Sequence, residues 1–171
     1  MYIVPEKLIS ELISFKTSYS AVEDVFSAMA KKKAYNFPVI RESIGYSNAL
    51  YGFKSGFDKE GLSLGLKAGG YWPENESMGI PNHQSTIFLF DANTGKISAI
   101  VGGNLLTAFR TAAASSISIN HLARQDSKVL GMIGAGYQSA FQMQAAARQR
   151  GFEKILGWKP PRNDLSTRAN G

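Results

Sequence analysis

The sequence predicts an α/β fold in two parts, an α+β region followed by the opening of a parallel α/β region. Three observations predict it. Short apolar runs set off by glycines fill residues 37–101, the pattern of strands in an antiparallel or mixed sheet. An alanine-rich stretch with helical apolar spacing begins at residue 104. A strand-like run at residues 128–133 then turns through Gly134, Ala135 and Gly136 into a second helical pattern. The switch from strands to a helix and a βαβ start places the one visible boundary near residue 125, dividing the chain into 1–124 and 125–171.

Taken in order, residues 5–15 carry Leu8, Ile9, Leu12 and Ile13 at helical spacing, with Pro5 tolerated in a first turn. Ser20 and Glu23 have the spacing of a capping box ahead of Val22, Val25, Phe26 and Met29, which predicts a second helix from Ser20. Lys31, Lys32 and Lys33 fall at its end, where positive charge faces the negative pole of the helix dipole. Residues 37–40 begin an extended region that Pro38 biases towards a sheet edge. Residues 51–53 and 62–66 read as strands, and residues 69–83, rich in turn formers, as a loop. Residues 86–90 and 97–101 form a hairpin around the turn-forming residues 91–96, and Asn104 caps the long helix. A helix over 137–150 and a strand over 154–158 complete the pattern.

A length of 171 residues suits one ordinary domain and is short for two complete ones. Two strands and one helix leave both faces of the last sheet open, so the expectation is either a fragment or a chain that needs a covering partner. The 44% hydrophobic fraction, with 10 Phe and 7 Tyr, supplies a globular core. Without a long apolar run or a leader pattern, a soluble cytoplasmic protein is expected, with no membrane partner. The absence of cysteine excludes disulfides, thiolate zinc sites and thiol nucleophiles. No H-E-x-x-H, G-x-S-x-G or close carboxylate pair occurs, so neither a metal site nor serine chemistry is expected. The net charge of +6 is scattered and carries no nucleic-acid signature, and an anionic small molecule accounts for part of it equally well.

Chemistry concentrates in two places. The turn at Gly134, Gly136 and Ser139 follows a strand and opens a helix. It is an imperfect dinucleotide fingerprint in which a small serine replaces the third glycine. No acid follows at the end of the next strand, where Lys159 and Arg162 stand instead. A 2′-phosphate suits them, which favours NADP over NAD, although two solvated surface cations have the same appearance. One turn into the alanine-rich helix, Arg110 lies close to Thr107 and Thr111. Its forked guanidinium suits a carboxylate. Lys67 and Arg41 end predicted strands and are candidates to join it. His83 falls in the predicted loop, where local hydrogen bonds are expected, and His121 near a helix end is given no role.

The segments LLTAFRTAAASSISINHLAR and VLGMIGAGYQSAFQMQA, with LGLKAGGYWPEN and GIPNHQSTIFLFDANTGKISAIVGG upstream, resemble the ornithine cyclodeaminase/mu-crystallin family over residues 37–158. The resemblance implies an N-terminal α+β substrate-binding and dimerisation domain, then the start of a truncated Rossmann-like domain binding NAD or NADP. It implies that Arg41, Lys67 and Arg110 bind a small amino-acid or imine carboxylate. Thr107, Thr111, Gly134, Gly136 and Gln138 would serve the cofactor. The family's catalytic aspartate would lie beyond residue 171, so no catalytic residue is assigned in the chain. The activity implied is NAD(P)-dependent: ornithine to proline plus ammonia, or ketimine reduction, with a homodimer as the assembly. A non-catalytic mu-crystallin-like binding protein and an inactive remnant are the alternatives.

Overall fold

A computed structural model describes residues 1–159. The chain forms two compact units, Met1–Arg110 and Thr111–Gly171.

The first unit is built on a seven-stranded sheet. Its strands are β1 (Tyr2–Val4), β2 (Ala34–Asn36), β3 (Ile40–Ser43), β4 (Leu50–Asp58), β5 (Ser63–Tyr71), β6 (His83–Asp91) and β7 (Ile97–Gly102). They lie in the order β1-β7-β6-β5-β4-β2, with β3 also on β4. Only β1 runs parallel to its neighbour, β7. Pro38 falls between β2 and β3, both of which edge β4, in keeping with its lack of an N–H to donate.

Helices α1 (Glu6–Leu12) and α2 (Phe15–Ala30) lie between β1 and β2 in the chain, and their boundary corrects the capping box read from the sequence. The box is Ser14 with Thr17: the Ser14 hydroxyl accepts from the Thr17 N–H at 3.1 Å, and the Thr17 hydroxyl accepts from the Ser14 N–H at 3.0 Å. Ser14 is in an extended conformation, which a cap requires, whereas Ser20 and Glu23 sit inside a helix that has already begun.

The central strands are longer than their apolar runs, because glycines and lysines inside them hide the alternation. Strand β5 continues to Tyr71, and much of the predicted loop is a 3-10 turn, Pro73–Met78, before β6 starts at His83. In the β6–β7 connection the Asp91 carboxylate accepts from the N–H groups of Asn93 and Thr94 and from the Thr94 hydroxyl. These bonds hold the Asp91 pKa below its usual value, the Thr94 hydroxyl contributing most.

Helix α3 (Asn104–Leu122) begins in the first unit and ends in the second. Its start differs from expectation. The Asn104 carbonyl oxygen accepts from the Ser85 N–H at 2.8 Å, so the side chain fastens the helix to β6 rather than capping it. The leading amides of Asn104 and Leu105 donate instead to the two Glu6 carboxylate oxygens, at 3.1 and 2.6 Å. A carboxylate at a helix N-terminus satisfies orphan donors and the dipole together.

In the second unit, β8 (Val129–Ile133) and β9 (Lys154–Trp158) pair in parallel around α4 (Tyr137–Ala147). Small buried residues, Ala112, Ala113 and Ser116 on α3 with Ala145 and Ala146 on α4, permit close helix packing. Gln149 donates to the Ser116 hydroxyl at 2.8 Å. The buried Arg150 guanidinium donates to the carbonyls of Ile119, Asn120, Ala123 and Arg124, closing the C-terminal end of α3. Ile133 and Trp158 remain exposed on the two-stranded sheet. Among the described residues, no helix is long and apolar enough to cross a membrane. Nor does any group of three His, Asp or Glu side chains there have the geometry to hold a metal ion.

Candidate functional site

Strand register assembles the first site. Arg41 on β3 faces Gly52 on β4, Lys54 faces Lys67 on β5, and Gly69 faces Ser85 on β6 beside the Tyr71–His83 pair. Because side chains alternate along a strand, Arg41, Lys54, Lys67, His83 and Ser85 share one sheet face with Gly52 and Gly69 between them. A Cβ at Gly52 would collide with the Ile40 carbonyl oxygen, and one at Gly69 with that of Gln84, so only hydrogen fits at either position. The space left by these residues is a cavity of about 200 Å³ within the first unit, bordered also by Thr107 and Arg110 of α3.

Residues three apart on a helix lie on one side of it, which brings Thr107 and Arg110 to the same opening. The Thr107 hydroxyl donates to the Gly103 carbonyl at 2.7 Å and accepts from the Lys67 ammonium at 3.0 Å. Burial, then the charges of Arg110 and Lys54, lower the Lys67 pKa to about 8. Burial also lowers that of Arg110. His83 is pushed below its usual value by burial first and then by Lys67, Arg110, Lys54 and Arg41. Among the described residues, none of these four cations forms an ion pair with a carboxylate. The cavity is a concentrated positive potential without an internal counter-charge, which favours an anionic ligand.

Of the residues singled out in the sequence, Arg41, Lys67, Thr107 and Arg110 therefore meet in one cavity, and Thr111 is not among its lining residues. His83 is not a loop residue making local bonds: it opens β6 and lines the cavity. Lys54 was missed. Its signal is the cross-strand pairing with Lys67, which becomes readable only once the β4–β5 register is known.

The second site is the β8–α4 turn. Gly134 has φ +97°, a conformation side-chain-bearing residues rarely adopt. A Cβ at Gly134 or Gly136 would meet nothing within 4 Å, so the space over the turn is open. The N-cap of α4 is Gly136, which has no side chain to cap the helix. The Ser139 hydroxyl donates to the Gly136 carbonyl at 2.7 Å, so the serine in place of a third glycine secures the turn. The Gln138 Oε1 atom is buried without a hydrogen-bond partner among the described residues. A helix start without a side-chain cap and the open space over it fit the pyrophosphate of a dinucleotide, whereas the Gln138 oxygen, an acceptor, suits a hydroxyl donor such as that of a ribose. Lys159 follows β9 and is exposed, and Arg162 lies outside the described residues.

The model of the ornithine cyclodeaminase/mu-crystallin family matches residues 7–164. The chain belongs to this family. It is 60% identical over 170 residues to the iminosuccinate reductase of Paracoccus denitrificans, covering 99% of this chain and 53% of that protein. The solved structure of an iminosuccinate reductase from the same organism, in complex with NAD+, superposes with a TM-score of 0.87 at 61% identity, over 97% of this chain and 52% of that one. The Thermococcus litoralis Δ1-pyrroline-2-carboxylate reductase, in complex with NADH and L-proline, gives 0.88 at 31% identity, over 95% and 50%. An archaeal alanine dehydrogenase dimer with bound NAD gives 0.86 at 27% identity, over 93% and 48%. The chain thus spans about half the length of the relatives it matches. The α/β fold class and the family resemblance read from the sequence both hold.

Proposed function

We propose that this chain carries the carboxylate site and the dinucleotide turn of an NAD(P)-dependent oxidoreductase that acts at the α-carbon of a small amino acid or its imine. The observation that carries this reading is the convergence of Arg41, Lys67 and Arg110 on one cavity that contains no acid. Lys67, partly buried, and Arg110, at the exposed mouth of the cavity, grip the α-carboxylate with charge-assisted hydrogen bonds, and Arg41 closes the rim. Thr107 holds the Lys67 ammonium in place. Fixing the carboxylate fixes the α-carbon, which is catalysis by orientation.

Gly134, Gly136 and Gln138 hold the dinucleotide, and Thr111 contributes to the nicotinamide pocket. When bound, that cofactor supplies or accepts a hydride. Lys159 and Arg162 favour a 2′-phosphate, whereas the solved relatives hold NAD+ and NADH. No residue of this chain is assigned the proton-transfer step. Residues 1–124 form the substrate and dimerisation domain and residues 125–171 the start of the Rossmann domain. The homodimer is supported by the dimeric archaeal relative and by the exposed Tyr51 and Phe53. Among relatives the substrates range from a monocarboxylic cyclic imine to a dicarboxylic one.

Fluorescence titration of the protein with NADH and with NADPH is expected to give saturable binding, and the tighter of the two identifies the cofactor. Nicotinamide absorbance with L-alanine, L-proline, L-ornithine or L-aspartate then reads turnover. Binding without turnover would mark a ligand-binding protein, and no saturable binding of any dinucleotide or carboxylate would refute the reading.

A further inference from the structure

We propose that the cavity takes a short dicarboxylic amino or imino acid, whose second carboxylate is held by Lys54 across the sheet from Lys67. This rests on the cavity being the amino- or imino-acid site described above, and it narrows the class of substrate.

The first argument is charge. A single carboxylate offers about four lone-pair positions, which Arg41, Lys67 and Arg110 already fill. Lys54 is a fourth cation on the same cavity and has no acidic partner among the described residues. Like charges directly opposite each other on a sheet are destabilising, and Lys54 and Lys67 are such a pair. A monoanion leaves that repulsion largely in place. A dianion places one negative group against each ammonium and removes it.

The second argument is space. The Lys54–Lys67 pair lies between two glycine pairs on the same face, Gly52–Gly69 on one side and Gly56–Gly65 on the other. Lys54 and Lys67 accordingly border both the cavity and an adjoining depression lined by Gly56, Gly65 and Ile87. A ligand whose first carboxylate sits between Lys67 and Arg110 has room to extend towards Lys54, and no bulky side chain from β4 or β5 closes the way. His83, lying among the same four cations, adds an imidazole N–H donor near the ligand rather than another charge, since burial and those cations disfavour its protonated form.

The test is calorimetric titration of the protein with succinate against propionate, and with L-aspartate against L-alanine. The dicarboxylate of each pair is expected to bind about tenfold tighter or more. Lys54→Met is expected to remove about tenfold of dicarboxylate affinity while leaving the monocarboxylates within about twofold, and Lys54→Arg to restore it. Lys67→Met weakens both kinds of ligand. Equal affinities within each pair, or a Lys54→Met variant that weakens both ligands alike, would overturn the proposal and leave the monocarboxylate reading standing. If neither kind of ligand binds, the amino-acid reading fails and this proposal with it.

Discussion

The turn at residues 134–138 is made from neighbours in sequence and offers chiefly backbone, whereas the cavity draws side chains from residues 41 to 110 on four strands and a helix. Both are suited to anions. The turn depends on one unusual dihedral, at Gly134, and on a helix start with no side chain at its N-cap. The cavity depends on each charge separately, and on the register that brings the charges together. Substitutions, salt and pH therefore act on the two sites in different ways.

The sharpest contrast comes from Arg110→Ala. It removes the charged fork from the cavity and is expected to weaken carboxylate binding by about 2–3 kcal/mol, roughly 30- to 150-fold, with dinucleotide affinity unchanged. Equal loss at both sites, measured by titration, would break the separation. Next is Gly134→Val, which forces a β-branched residue to φ +97°. The strain of about 1–3 kcal/mol is expected to cost about tenfold or more in dinucleotide affinity and to leave succinate binding alone.

A third effect follows from Lys67, which titrates near pH 8 rather than 10.5. Carboxylate affinity is expected to fall above about pH 8, approaching about tenfold per pH unit, and Lys67→Met should abolish the step. Between about pH 8 and 10.5 the unfolded chain holds more protons than the folded one, so the unliganded protein gains stability as pH rises through that window. Chemical denaturation at a series of pH values reads the sign. The smallest effect is that of Glu6→Ala, which uncaps α3 at the cavity end and is expected to cost about 1 kcal/mol of stability in urea unfolding.

The same contrast explains what the sequence made legible. The glycine turn at Gly134 and Gly136 was readable because strand, turn and helix follow one another without interruption. Arg110 and Thr107 were readable from helical spacing, and Lys67 from its place in a family motif. Lys54 was not, because its meaning lies in a partner thirteen residues away that only β4–β5 pairing identifies. His83 was hidden by the turn-rich residues before it, and these made the end of β5 and the start of β6 look like one loop. The α3 cap was misassigned for the same reason. Asn104 is the local choice, yet the donors are satisfied by Glu6, a residue no local pattern connects to it.

The Glu6 clasp and the parallel β1–β7 pairing bind the first six residues to positions 97–105. The edge of the large sheet is therefore closed by a contact that spans 98 residues of sequence, so it carries a large loop-closure cost and forms late, however early the neighbouring helices form.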